Sequence, residues 1–444
     1  MSALYICYQS LLDPLTQTQV VAYLEGLAND VTPIVLLTFE PSKLTTAEVR
    51  TWEERLAEKG IVWRRLPYHK RPTLPATLWD VMAGTLAGYR IIREFDVKLV
   101  HARSHVPALM GRLLKRLTGV KFLFDFRGLL AEEYVDAGVW KRNGTLFRLT
   151  KRAERQLISA ADAYVVLTEQ ARDVLVEWYT KEIGEKPMAV IPCCADLTPP
   201  SEINHDKKAL TDRSTSLTLA YAGKLDGWYL TDEMIEFFAY VASVNPQVRW
   251  SVWTQGDSQR LQEDLNGRGL AERVTIGRTT PHELRTHLSS AHAGLAFIRP
   301  CFSKKASSPT KVAEYLAAGL PVISTGGIGD LDAVLRGDFS EDGRPVGVIL
   351  RDHSPTAYAQ TWEELCELLN DPDTPSRCRD VAQRLFDLKT VGWSRYRNLY
   401  AAILDRSAVI LSQSDDRAVT SKEKTLSRIS KQKGDLGLVS SLRK

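Results

Sequence analysis

"SSPTKVAEYLAAGLPVIS", residues 307 to 324, reads as a phosphate-cradling turn, a helix and a buried strand in one run. Pro309 suits the first turn of a helix, where its missing N–H would have no partner, and Ser307 or Ser308 can serve as N-cap. Backbone N–H groups, the Ser308 and Thr310 hydroxyls and the Lys311 ammonium then converge on the helix N-terminus, where the dipole favours an anion such as a diphosphate. Val312, Tyr315 and Leu316 recur at helical spacing, and Glu314 lies one turn beyond Thr310 and Lys311, placed to accept hydrogen bonds from ribose hydroxyls. Gly319 stops the helix, Pro321 opens the next segment, and "VIS" reads as a short parallel strand entering the turn "TGGIGD". Ligands of open α/β sheets bind at such strand ends, so the run points to a nucleotide-bearing ligand. A Ser-Pro cap and a Gly stop also punctuate ordinary helices, and the rest of the chain has to separate the two readings.

Outward from this run, short apolar stretches alternate with amphipathic ones, the rhythm of parallel sheets covered by helices on both faces. "LYICY", "IVLLTF", "LVHAR", "KFLFDF" and "AYVVLT" are the strands of the first half, and "VIPCC" closes it. A second sheet begins at "LTLAYAG" and continues through "VRWSVWTQG", "RVTIG", "AGLAFI", "PVIST" and "VGVIL". Helices are expected near 231–243, 258–266, 281–290, 309–318 and 356–369, with a final helix in "VGWSRYRNLYAAIL". The expected division is a first Rossmann-like domain over 1–200, a linker over 201–216, and a second Rossmann-like domain over 217–390. A returning helix over 391–411 and a basic, disordered tail over 412–444 complete it.

The 444 residues suffice for two ordinary cores. Six cysteines at 7, 193, 194, 301, 366 and 378 show neither a C-x-x-C pair nor zinc-finger spacing, so a reduced, cytoplasmic setting is expected, with neither disulfide framework nor metal site. The N-terminus lacks the basic n-region and long apolar run of a signal peptide, and no stretch has the length of a membrane span. Net charge is only +4, yet residues 50–155 hold 22 Lys and Arg against 11 Asp and Glu. The densest part, residues 140–155, interleaves Lys141, Arg142, Arg148, Lys151, Arg152 and Arg155 with Trp140, Leu146, Phe147 and Leu149. Such a segment can rest on anionic lipid, at the inner face of the plasma membrane, or be a solvated helix face beside a core. No recognised motif accompanies the charge, which argues against nucleic acid as a partner.

The 307–324 run resembles the donor-binding signature of family 4 glycosyltransferases, retaining enzymes of the GT-B fold, and in particular a bacterial branch that builds surface polysaccharides. The family pattern is a glutamate, seven residues and a second glutamate; Glu314 matches the second, and Ala306 stands where the first would be. Similar segments occur in the family's order from about residue 3 to 400: "LYICYQSLLDPLTQTQVVAYLEGLA", "VHARSHVPALMGRLLKRLTGVKFLFDFRGLLAEE", "RAERQLISAADAYVVLTEQARDVL", "VIPCCADL" and "LAYAGKLDGWY". The resemblance implies two Rossmann-like, doubly wound domains facing across a cleft, with a C-terminal helix crossing back to the first. It also implies transfer of a sugar, with retention, from a nucleotide-diphosphate sugar, most readily a UDP-sugar, to a glycan acceptor that is lipid-linked. The nucleotide sugar is then a substrate, and no resident cofactor or metal is required.

On that frame Gly223 and Lys224, after "LAYA", stand where the family places a cation against the diphosphate; a cation there stabilises the departing group. With Ser307, Ser308, Pro309, Thr310, Lys311 and Glu314 they form the expected donor site. Asp125 and Arg127 in "DFRG" are expected to hold hydroxyls or orient the acceptor, or to form a structural ion pair. Arg103 and His105 in "HARSH", with Gln17, Thr18 and Gln19 in the loop "DPLTQTQ", complete the expected acceptor side, although His105 can equally cap the following helix. Asp330 and Asp332 form a D-x-D that reads as a loop coincidence rather than a metal site. Two other readings remain open: a nucleotide-sugar epimerase of the same fold, and a non-catalytic nucleotide-sugar-binding subunit, the latter motivated by Ala306.

Overall fold

The computed structural model describes residues 2–31, 33–41, 44–71, 73–198 and 217–404. The linker expected at 201–216 and the tail at 412–444 lie outside the described residues.

The first sheet has seven strands, β1 (Ala3–Cys7), β2 (Ile34–Glu40), β3 (Ile61–Pro67), β4 (Leu99–Arg103), β5 (Lys121–Asp125), β6 (Ala163–Val166) and β7 (Met188–Val190). Their order is β3-β2-β1-β4-β5-β6-β7, all parallel. The second sheet has six, β8 (Thr218–Ala222), β9 (Arg249–Trp253), β10 (Val274–Gly277), β11 (Ala293–Ala296), β12 (Val322–Thr325) and β13 (Gly347–Leu350), again all parallel, in the order β10-β9-β8-β11-β12-β13. Both are doubly wound, with the order reversing beside β1 and beside β8, and ligands of such sheets bind outside the carboxyl ends of the strands there.

Local sequence explains most of this. Strands buried on both faces read as continuous apolar runs, and β2, fully buried along Ile34–Glu40, is the clearest example. β3 is not among the expected strands. It lies at the sheet edge, where exposed Arg64 and Arg65 interrupt the apolar run of Ile61, Val62, Trp63 and Leu66. The expected strand "VIPCC" instead ends at Val190, with one further bond from Ile191 N–H to the Val166 carbonyl of β6 at 2.8 Å before the chain leaves the sheet. The Thr374–Phe386 helix was likewise not anticipated.

The last helix, Ser394–Leu404, returns to the first domain. Tyr396, Leu399, Tyr400 and Ile403 join the core that holds Tyr5, Leu36 and Leu123. Tyr400 Oη lies 2.8 Å from His101 Nδ1, and Trp393 Nε1 donates to the Ala22 carbonyl at 2.9 Å. No described helix is long and apolar enough to cross a membrane.

Within the basic 140–155 segment the helix starts at Thr145. Lys151 turns inward, bonding Glu154, sitting 3.3 Å from Glu132 and 4.1 Å from the Trp178 ring centre. Leu146, Leu149, Arg148 and Arg152 stay exposed.

Candidate active site

The signature helix spans Thr310–Ala317, with Pro309 as N-cap in extended conformation. Pro309 therefore precedes the helix rather than opening its first turn, because its ψ of 116 is extended. Neither serine caps the helix: Ser308 Oγ instead accepts the Cys193 N–H across the domains at 3.0 Å. The helix ends as expected, with Gly319 in the left-handed region at φ 73.

Thr310 and Glu314 line a cavity of about 380 Å³ between the two sheets, opposite Thr18 and Gln19. The wall is completed by Cys194–Thr198 of the interdomain connection and by Arg285 and Leu288 of the Pro281–Ser289 helix. Thr18 and Gln19 are not in a loop; they belong to a tight π-type turn, Gln17–Val21, that follows the Pro14–Thr16 turn. Such turns recur at functional sites because they re-aim side chains. Gln19 is buried, donates to the Cys194 carbonyl at 3.0 Å, and leaves its Oε1 without a partner. Thr18 bonds the Pro14 carbonyl at 3.1 Å, and Gln17 bonds the Leu11 carbonyl at 3.3 Å. The loop before this turn is pinned by Glu40, which accepts from Leu11 N at 2.9 Å and from the hydroxyls of Ser10 and Thr38.

Lys311 does not point at the serines. Its ammonium is buried, makes no hydrogen bond, and lies 3.9 Å from the Tyr221 ring centre and 4.3 Å from that of Tyr229. A Cβ on Gly223 would stand 2.8 Å from that ammonium, and Gly223 has a φ of 143, so only glycine fits between Lys311 and Lys224. Burial pulls Lys311 down to about 7, against the opposing pull of Glu314. Burial pushes Glu314 up to about 7, against Arg285 and Lys311. The two form no ion pair with each other, and Arg285 is engaged with Asp196 at 3.2 Å and the Thr198 carbonyl at 3.5 Å. Lys224 is exposed to solvent.

The remaining first-domain candidates do not line this cavity. Asp125 is fully buried, 3.5 Å from Arg127 Nη1 and 3.4 Å from His101 Nε2, and accepts from Tyr396 Oη at 3.4 Å. Burial pushes its carboxyl up, but Arg127, then His101 and Arg103, overcome this and hold it at about 2. Arg127 also reaches Cys193 Sγ at 3.5 Å. The acceptor-facing position expected for Asp125 is thus an ion-pair cluster beneath the returning helix. His105 is buried against Phe124 and Phe126 with Nε2 3.1 Å from Glu154, away from the cavity wall. Arg103 is buried, donates to Gln9 at 3.2 Å and leaves Nε unpartnered.

The segment around the replaced glutamate docks on the first domain. Ala306 is buried in the cluster of Phe124, Phe126 and Tyr179, Phe302 stacks on Trp178 at 5.7 Å, and Lys304 reaches Glu133 at 3.4 Å while sitting 3.8 Å from the Trp228 ring centre. Asp330 accepts from the Glu169 and Gln170 N–H groups at 2.8 and 3.2 Å, capping the Glu169–Ile183 helix from the other domain, while Asp332 accepts from Gly327 N at 3.0 Å. The D-x-D carboxylates therefore serve separate structural roles, Asp330 between the domains and Asp332 within its own turn.

Residues 16–194 match the model of the glycosyl transferase 4-like domain, and residues 216–368 that of the glycosyl transferases group 1. The chain belongs to the group 1, family 4-like glycosyltransferases. Among solved structures this glycosyltransferase resembles a sucrose-phosphate synthase from Thermosynechococcus elongatus at a TM-score of 0.67 and 16% identity, covering 90% of this chain and 100% of that one. It also resembles HepE from Anabaena, solved in complex with UDP and glucose, at 0.62 and 13%, covering 90% and 100%. WaaG, a glycosyltransferase involved in lipopolysaccharide biosynthesis, follows at 0.59 and 14%, covering 91% and 100%. At these identities the likeness carries the GT-B fold. No curated protein sequence matches the chain. Arg285 and Glu40 had no sequence signal: one sits in an ordinary capped helix, the other at the end of an apolar strand.

Proposed function

We propose that this glycosyltransferase moves a sugar, with retention, from a UDP-sugar to a lipid-linked glycan in surface polysaccharide synthesis. The observation that carries the donor assignment is Lys311, a buried ammonium with no hydrogen-bond partner, one turn before Glu314, an acid on the cavity wall with which it forms no ion pair. Buried charges are normally paired, and an unpaired one marks a place where a ligand supplies the partner. In this reading Glu314 accepts the ribose hydroxyls, while Lys311, Lys224 and the Gly223 backbone meet the diphosphate. Thr18 and Gln19 close the site from the acceptor side. As the glycosidic bond to the donor breaks, negative charge gathers on the departing diphosphate, and the two lysines stabilise it. The leaving phosphate oxygen takes the proton of the acceptor hydroxyl, which attacks from the same face. Asp125 and Arg127 act as positioning residues, holding the strand end beneath the acceptor. HepE's complex with UDP and glucose supports the choice of nucleotide.

Ala306 favours a second reading, a nucleotide-sugar-binding subunit without transfer, because its buried place in the first-domain cluster supplies no carboxylate to the donor sugar. Calorimetric titration of UDP, GDP and ADP against wild type and Lys311→Ala, followed by transfer assays with the sugar conjugates of the nucleotide that binds, separates the two. UDP binding lost in the variant, together with transfer, is the expected result. Binding without transfer to any acceptor selects the subunit reading, and folded protein that binds no nucleotide overturns both.

A further inference from the structure

The Thr73–Phe95 helix exposes Leu74, Leu78, Trp79, Met82, Leu86 and Tyr89, of which Trp79 and Met82 are 58% and 59% accessible. At 3.6 residues per turn these six positions fall within an arc of roughly 140° along the helix. The opposite face is fully used: Ala76, Val81, Ile91 and Ile92 are buried, and a Cβ on Gly84 or Gly88 would stand 2.6 Å or 2.7 Å from Met110 or Leu114 of the neighbouring His105–Thr118 helix. Among the described residues nothing covers the outer stripe.

Its borders are mainly basic, and the one exposed acid of the helix, Glu94, is paired with Arg64 of β3 at 3.1 Å. Lys70 and Arg71 precede the helix, and Arg90 and Arg93 flank its far end, all exposed. Asp80, the one acidic residue between Lys70 and Arg93, is buried and consumed by Tyr8 Oη at 2.6 Å and by the His69 ring at 2.6 Å. Leu117 of the next helix, exposed, meets Tyr89 and Arg93 around one surface hollow, extending the apolar surface.

We propose that this helix lies flat on a bilayer bearing anionic headgroups, with Leu78, Trp79, Met82 and Leu86 entering the acyl boundary and the four cations at headgroup level. An apolar arc with an aromatic residue near each end and cationic borders is what an interfacial helix requires. A second copy of this chain fits less well, because a two-fold contact would set the same four cations against one another, with only Glu94, already paired with Arg64, as a nearby carboxylate. The 140–155 segment, with Lys151 turned inward, is a minor contact at most. The helix begins after the carboxyl end of β3, the cleft side of the first sheet, so a bilayer beneath it brings a lipid-linked acceptor to the cleft. The inference itself does not depend on the sugar transferred.

The test is sedimentation of the full chain with vesicles of phosphatidylglycerol and phosphatidylcholine, and with phosphatidylcholine alone, without donor or acceptor. Wild type is expected to bind the anionic vesicles, and more weakly at high salt. The Leu78→Glu/Met82→Glu variant is expected to lose on the order of tenfold or more in partitioning. The Leu146→Glu/Leu149→Glu variant should bind as wild type. These positions are exposed, so an unchanged melting temperature and unchanged UDP titration establish that the variants are folded. Equal vesicle binding by the Leu78→Glu/Met82→Glu variant overturns the assignment, as does equal binding to neutral vesicles for its electrostatic part. A wild-type dimer that this variant dissociates, in protein that ignores vesicles, would place a second copy on the stripe instead.

Discussion

At the carboxyl end of the first sheet Asp125 and Arg127 are buried together, with His101 and Tyr396 completing the set. Beside the carboxyl end of β8 in the second sheet, Lys311 is buried in a box of tyrosines and Glu314, half-buried, lines a cavity wall, and the two do not pair. Both clusters were expected to serve the reaction, and both sit where doubly wound sheets bind ligands. Their electrostatics differ in sign of effect. In the first, each charge is stabilised by a neighbour and Asp125 is held at about 2. In the second, burial acts nearly alone and brings both groups to about 7. In the proposed function the paired cluster holds the fold together, whereas the unpaired one is where the ligand would supply the missing partner.

The largest effect expected from this contrast is on the paired side. Asp125→Asn leaves Arg127 buried without its counter-charge and should destabilise the protein by about 3–5 kcal/mol in denaturant titrations. Since Asp125 is depressed in the fold, its contribution is full above its unfolded value of about 3.9 and is lost as pH falls towards about 2. The variant's melting temperature should therefore fall less steeply than that of wild type across that acid range, the remaining slope coming from Glu154 and the other depressed carboxylates. An equally stable variant would show that the cluster is not the fold's anchor.

On the unpaired side, Lys311→Met should cost about 2–4 kcal/mol of UDP affinity by calorimetry. The nucleotide-free protein should be unchanged or more stable, because a buried cation without a partner is replaced by an apolar chain. Loss of stability together with retained binding would reverse the roles of the two clusters.

The pH dependence sharpens this. Glu314 is raised, so the folded state holds an extra proton between about 4.3 and 7, and stability falls as pH rises through that window. Lys311 is lowered, so the folded state holds fewer protons between about 7 and 10.4, and stability rises through it. Nucleotide-free wild type should show a local minimum near neutral pH that Lys311→Met/Glu314→Gln removes. Glu314→Gln alone should weaken UDP by about 1–3 kcal/mol, the cost of a hydrogen bond to a charged acceptor. The smallest effect belongs to Asp330→Ala, which removes a cap that one domain places on the other's helix and should cost about 0.5–2 kcal/mol of stability without changing UDP affinity.

Much of the fold was legible because parallel strands covered on both faces must be apolar along their length. β8, β11, β12 and β13 of the second sheet announce themselves this way, whereas β9 and the edge strand β10 are partly exposed and were legible from their β-branched and aromatic residues. β3 was not, because exposed Arg64 and Arg65 interrupt its apolar run. At the site, Thr310, Glu314, Thr18 and Gln19 were legible from spacing and resemblance, and the fold brings these four to one cavity. Asp125 and His105 look equally polar and equally well placed at strand ends. Only their partners, Arg127 and Tyr396 for one and Glu154 for the other, reveal that they face inward.

Sequence alone determined the two-sheet architecture, the helix carrying Thr310, Lys311 and Glu314, and the basic character of the first domain, because periodicity and composition act over neighbouring residues. Tertiary structure decided which charges are paired. Tyr221, Tyr229 and Gly223 come together around Lys311 from a strand and a loop some eighty to ninety residues earlier, and Tyr396 reaches Asp125 from 271 residues away. Whether a buried charge finds a counter-charge depends on distances of a few ångströms between such remote segments, and no local pattern encodes those distances.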